Sequence, residues 1–245
     1  MTDGAALLEL TGVSKRFGRI TVADSLSLRF SAGETVGIVG PNGAGKSTLF
    51  GVIAGDVRPD AGDVRVDGRS VARLDTAARC RLGIARTYQV PRPFTAMTVF
   101  ENLLVAAFRG GELPRAAAYE VAARILEETG LSPDANRPAG RLGLLQRKRL
   151  ELARALATQP RILLLDEVAG GLTDPEVAAL VEIVEQVRQR SVAIVWVEHV
   201  VRALTSSVSR IICIAGGRLI AEGDPKDVLA NPEVKEVYLG ADVSA

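Results

Sequence analysis

The 245-residue chain predicts an α/β fold, in which a mixed sheet core carries an antiparallel β subdomain and an inserted helical subdomain. Three patterns support it. Apolar runs at 35–39, 162–165 and 192–197 lack alternation, as strands buried on both faces of a parallel sheet do. Residues 8–30 instead alternate apolar with polar, the period of antiparallel strands with one wet face. From about residue 90 to 160 the apolar positions recur at helical spacing, so this stretch reads as a helical subdomain inserted between strands. Residues 1–245 form one domain on this reading, long enough to bury a sizeable core.

In chain order, the first alternating segment starts at Leu8, and the second runs from about Ala23 to Phe30, ending at the turn signal Ser31-Ala32-Gly33. Phe17 stands between them. The run 35–39 leads into Gly40-Pro41-Asn42-Gly43-Ala44-Gly45-Lys46-Ser47-Thr48, and Leu49, Phe50, Val52 and Ile53 then fall at helical spacing. Residues 64–68 read as a strand with a turn, 76–82 as a helix and 84–88 as a strand, with Gln89 directly after it. Helices follow at 99–108, 115–129 and 145–158; Gly110-Gly111 and residues 133–140 mark the loops. The run 162–165 ends in Asp166-Glu167, and Asp174-Pro175-Glu176 opens a helix to about Arg190, with proline in its first turn. The strand 192–197 ends in Glu198-His199, 209–223 reads as a hairpin around Gly216-Gly217, and 224–239 as short helices.

The stretch from Gly40 to Thr48 fits Gly-x-x-x-x-Gly-Lys-Ser between a strand and a helix, the context in which that pattern cradles phosphate. Glycine lets the backbone take positive φ and curl its N–H groups around an anion. The helix beginning near Lys46 adds about half a positive charge at its N-terminus. Lys46 reaches outer phosphates, Ser47 offers a hydroxyl to magnesium and Thr48 a second donor to phosphate.

With such a cradle upstream, the acids ending 162–165 acquire roles. Asp166 is placed to reach magnesium and Glu167 to orient or deprotonate an attacking water. His199, the only histidine, ends a strand where open α/β sheets bind ligands, and is placed to contact a γ-phosphate. Phe17 suits stacking on a purine, or serves as an ordinary turn aromatic.

Composition narrows the field. Lys and Arg total 30 against 29 acids, a net charge of +1, and they are scattered instead of forming a basic block, so nothing favours nucleic acid. Cys80 and Cys213 lie far apart, without a metal-ligand spacing, which points to a reducing compartment. Hydrophobic residues make up 47% of the chain, yet no apolar run reaches the ~18 residues that cross a bilayer. Met1-Thr2-Asp3-Gly4 lacks the basic flank of a signal peptide, so contact with a membrane would go through partners.

The cradle, Gln89, the region 142–156, the run 163–167 and His199 together resemble, in order and spacing, the P-loop NTPases that serve as ABC transporter ATPases. The resemblance implies ATP and Mg2+ as ligands. By it, Phe17 corresponds to the adenine-stacking aromatic, Gly40, Pro41, Asn42, Gly43, Ala44, Gly45, Lys46, Ser47 and Thr48 to the Walker A loop, and Gln89 to the Q-loop glutamine that joins Ser47 and Asp166 at magnesium. Asp166 corresponds to the Walker B residue, Glu167 to the catalytic glutamate and His199 to the switch histidine. Gly83-Ile84-Ala85-Arg86-Thr87-Tyr88-Gln89, the stretch 98–105 and the ending 231–240 resemble branched-chain amino acid importer ATPases in particular. That likeness implies import of such a solute, a homologous second ATPase as homo- or heterodimer partner, two membrane permeases, an extracytoplasmic solute-binding protein, and a cytoplasmic position held on the inner face of the membrane through the permeases.

The chain departs from this pattern at the signature. Leu142-Gly143-Leu144-Leu145-Gln146 stands for Leu-Ser-Gly-Gly-Gln, which removes the serine hydroxyl that reaches a partner's γ-phosphate. Val168 replaces a usual proline, and Gly170-Gly171-Leu172-Thr173 replaces a Ser-Ala-Leu-Asp type. These changes keep a second reading open, an ATP-dependent dimerisation or regulatory module with little hydrolysis. A soluble repair or translation ATPase fits less well, with one cradle and no coiled coil or basic arm.

Overall fold

Two sheets divide the strands by their hydropathy patterns. The computed structural model describes residues 6–198 and 207–242, with side chains as far as Val237 in the second stretch. The six-stranded sheet has the order β10-β9-β3-β8-β7-β6, built from β3 (Thr35–Val39), β6 (Ile84–Arg86), β7 (Ile162–Asp166), β8 (Ala193–Val197), β9 (Arg210–Ala215) and β10 (Arg218–Gly223). All its pairs are parallel except β9 with β10. The second sheet is antiparallel, in the order β2-β1-β4-β5, from β1 (Leu8–Phe17), β2 (Ile20–Phe30), β4 (Ala61–Val66) and β5 (Arg69–Ser70).

The unbroken apolar strands feed two cores at once, because successive side chains leave a strand on opposite faces. Leu163 and Leu165 of β7, with Ile194 and Trp196 of β8, pack with the helices. Ile162, Leu164, Ala193, Val195 and Val197 pack instead with the antiparallel sheet and α1 (Lys46–Ala54). A charge on either face of these strands would meet apolar side chains, which explains why the polar groups cluster at their ends.

The helical subdomain consists of α3 (Val99–Arg109), α4 (Arg115–Glu128) and α5 (Leu144–Ala157), with short 3-10 turns at Ser132–Asp134 and Ala139–Arg141 between α4 and α5. A capping box starts α3: Thr98 accepts from the Glu101 N–H, and the Glu101 carboxylate accepts from the Thr98 N–H. Asn102, fully buried, accepts from Phe94 N–H at 2.8 Å and donates to the Phe94 and Thr98 carbonyls, fastening the approach to α3. The remaining helices among the described residues are α2 (Thr76–Arg81), α6 (Asp174–Arg188), α7 (Pro225–Ala230) and α8 (Pro232–Asp242). No described helix is long and apolar enough to cross a membrane.

Several boundaries differ from the sequence expectation. Phe17 does not lie between strands but closes β1, paired with Ile20, because β2 begins three residues earlier than the alternation suggested. The strand expected over 84–88 stops at Arg86. Thr87 still reaches Leu164 through its N–H at 2.9 Å, but its hydroxyl accepts from Asp166 N–H at 3.1 Å, so side chain replaces ladder and the chain turns away towards Gln89. The strand after residue 191 starts at Ala193, one residue late.

Candidate functional site

Glycine is required in the loop before α1 for two reasons. Gly40, Gly43 and Gly45 have φ of 152°, 79° and 98°, a region in which side chains are strained. At Gly40 and Gly45 space is also lacking: a Cβ would lie 2.0 Å from the Ile214 and Val22 carbonyl oxygens respectively. The loop is therefore pressed against β9 on one side and β2 on the other. Gly45 caps α1 without a side-chain hydrogen bond, so the helix N-terminus keeps donors for an anion. Lys46 is buried, and its Nζ donates to the Gly40 carbonyl at 2.7 Å and the Pro41 carbonyl at 2.9 Å. Desolvation pushes its pKa down, against the pull of Glu167 and Asp166.

The loop forms one wall of an open cleft of about 530 Å³. Asn42, Gly43, Ala44, Gly45, Lys46, Ser47 and Thr48 line it with Val22, and Gln89 and Glu167 stand opposite. Gln89 Nε2 donates to Glu167 Oε2, closing the far side. Glu167 itself takes a left-handed φ of 47°, with its N–H on the Val197 carbonyl at 2.9 Å. Pro41 and Gly40 lie behind the loop as the acceptors of Lys46. Phe17, 51% exposed, is not on the cleft wall; Lys15 Nζ sits 5.2 Å from its ring centroid. His199 lies outside the described residues.

Asp166 ends β7 nearly buried, one oxygen paired and the other not. Oδ2 accepts from Arg86 Nη2 at 2.8 Å, while Oδ1 has no hydrogen-bond partner among the described residues. An orphaned buried carboxylate oxygen is costly unless a cation completes it. With the Ser47 hydroxyl and the Gln89 amide it supplies hard oxygen donors, the set that magnesium takes. The residues present fit that ion.

Three contributors escaped the sequence reading. Arg86 bridges Asp166 and Asp56, the latter at 3.0 Å, with Tyr88 and Phe50 rings against its guanidinium. Lys148 of α5 donates to the Gln89 and Glu167 carbonyls. Glu198, 2% exposed, accepts from Ala169 N–H at 2.7 Å and from Trp196 Nε1 at 3.3 Å, fixing the turn that follows Glu167. Only the position of Glu198 at a strand end, next to His199, was a signal in the sequence.

At the start of α5 the N-cap is Gly143, which has no side-chain hydrogen bond, and Leu144 is 48% exposed beside Gly171. A second opening, about 250 Å³, lies between the core and the helical subdomain, lined by Cys80, Arg86, Tyr88, Phe94, Val105, Arg109, Glu151 and Arg154 among others.

Comparison with known proteins agrees with this geometry. The family described as ABC transporter matches residues 23–170, and that described as branched-chain amino acid ATP-binding cassette transporter matches residues 218–244. The high-affinity branched-chain amino acid transport ATP-binding protein BraF of Pseudomonas aeruginosa is 37% identical, across 96% of this chain and 98% of BraF. LivG of Salmonella typhimurium, described in the same words, is 36% identical with the same coverage. The crystal structure of the ADP conformation of MJ1267, an ATP-binding cassette of an ABC transporter, matches with a TM-score of 0.85 and 31% identity, over 96% of this chain and 99% of that one. Likeness of that extent, carried through both sheets and the helical subdomain, makes the chain a member of the ABC transporter ATP-binding family, of its branched-chain amino acid type.

Proposed function

We propose that this ATPase powers import of a branched-chain amino acid or similar small solute, joined to the inner face of a membrane through two permease subunits and served by an extracytoplasmic solute-binding protein. The observation that carries the reading is the cleft, where the glycine-rich loop, Gln89 and Glu167 converge from three distant parts of the sequence. The names of the relatives support the cargo class.

In this account the loop N–H groups and the α1 N-terminus bind the phosphates, and Lys46 exchanges the Gly40 and Pro41 carbonyls for the outer phosphate oxygens. Phe17 stacks on the adenine. Mg2+ held by Ser47, Gln89 and Asp166 would neutralise charge on the phosphate oxygens. Glu167 turns from Gln89 to accept a proton from, or orient, the attacking water, and His199 contacts the γ-phosphate. A homologous second ATPase closes the site. The opening between core and helical subdomain, with Phe94 46% and Val90 70% exposed near it, suits a permease helix.

Reconstitution of the complex in vesicles tests this. Glu167→Gln is expected to lower ATP turnover by about 100-fold or more and stop solute uptake, while a fluorescent ATP analogue still binds. Undiminished uptake in Glu167→Gln, or full analogue binding in Lys46→Ala, would count against the assignment.

A further inference from the structure

Lys148 lies in the second turn of α5, 4% exposed, with its ammonium directed at backbone instead of a carboxylate. Nζ donates to the Gln89 carbonyl at 2.8 Å and the Glu167 carbonyl at 3.1 Å. These two residues line the cleft opposite the phosphate loop, and their side chains are hydrogen-bonded to each other there. Lys148 belongs to the helix that starts at the signature residues. One side chain thus ties the helical subdomain to both residues opposite the phosphate loop.

The Glu167 backbone is held on both sides of its Cα. Its N–H is fixed to Val197 in the sheet, whereas its carbonyl accepts from Lys148 of α5 at 3.1 Å and from the Gly170 N–H at 3.3 Å. Its φ of 47° persists only because the surroundings over-determine it. On this geometry a tilt of α5 that moves the ammonium would pull on the Glu167 carbonyl and shift the Cα that carries the carboxylate.

We propose that Lys148 is a positioning residue of the ATPase site, which sets the direction of the Glu167 carboxylate according to the orientation of the helical subdomain. The proposal rests on the assignment of Glu167 as the group that handles water.

The test uses the assembled transporter with Lys148→Met, Lys148→Arg and Lys148→Gln, measuring kcat, KM for ATP and binding of a fluorescent ATP analogue. Lys148→Met is expected to lower kcat by roughly 10- to 100-fold while KM and analogue affinity stay within about twofold, and Lys148→Arg to recover kcat to within about threefold of wild type. A purely structural role would move thermal stability without that split. Wild-type kcat in Lys148→Met, a raised KM at constant kcat, or an arginine variant as impaired as methionine would overturn the proposal. Should Lys148→Met fail to fold, Lys148→Gln, which keeps donors, is expected to lower kcat at unchanged analogue affinity, and wild-type kcat there also overturns it. Full turnover in Glu167→Gln would instead remove the assignment beneath the proposal, a separate failure.

Discussion

Glu198 carries its carboxyl behind the cleft, where burial holds it above its ordinary value of 4.5, partly offset by the Ala169 N–H and the Trp196 indole. The sign of the resulting pH dependence follows. Below about pH 4.5 both folded and unfolded chains keep the proton, and Glu198 contributes no difference. As pH rises beyond that, the unfolded chain ionises first while the folded one holds its proton, so stability falls until the folded pKa is passed. Glu198→Gln keeps an acceptor oxygen for both donors but cannot ionise. Denaturant titrations at about pH 4 and about pH 7 are expected to show this loss in the wild type and its absence in the variant; equal losses in the two would contradict it. At this scale the sequence pointed to residues whose expected roles reside in their own motif: Lys46, Asp166, Glu167 and Gln89. Lys148 stayed hidden because its targets are carbonyls, which leave no trace in residue type, and because Arg147-Lys148-Arg149 looks like a solvated basic run. Arg86 stayed hidden because its partner Asp166, far along the chain, is brought to it only by the pairing of β6 with β7.

At the level of elements, α1 joins the loop to the core, and its two ends are treated oppositely. The N-terminus is left open, while the C-terminal carbonyls of Val52 and Ile53 accept from Arg79 Nη1 at 2.6 and 2.9 Å. Arg79 is 1% exposed, so its charge is committed to this end of the helix, where the dipole is negative. Arg79→Leu would leave two buried carbonyls without this donor, an expected loss of about 2–6 kcal/mol at about 1–3 per group. Hydrogen exchange should then quicken in α1 before it does in β7, and nucleotide affinity should fall as the loop loses its support; an unchanged unfolding midpoint would contradict this. Helices such as α3 and α6 were legible from apolar residues at helical spacing and, for α6, from Asp174-Pro175-Glu176 at its start; both prove to begin with capping boxes, Thr98 with Glu101 and Thr173 with Glu176. The early end of β6 was not, since Thr87 and Tyr88 have strand propensity, and what ends the strand is a hydroxyl bond to a residue far along the chain.

On the proposed pairing with a second ATPase, the whole molecule brings two surfaces of unequal quality. Its cleft has a glycine-built loop, Gln89 and Glu167, whereas the start of α5 offers Gly143 without a hydroxyl and an exposed Leu144. In a dimer that swaps these surfaces, this chain's cleft meets the partner's signature, and the partner's cleft meets Leu142-Gly143-Leu144-Leu145-Gln146. Loss of one transition-state donor costs about 100- to 1,000-fold in rate, enough to make one site dominant. If the partner has an intact signature, Glu167→Gln in this chain should therefore remove most of the turnover of the assembled complex, and the equivalent change in the partner much less. Restoring the hydroxyl with Gly143→Ser, with Leu145→Gly to relieve bulk, should raise the partner site's share. Steady-state ATPase measurements on the reconstituted complex decide between the alternatives. Equal losses from the two glutamine variants would mean that backbone N–H groups at the α5 N-terminus suffice for the reaction, so that the missing serine carries no asymmetry.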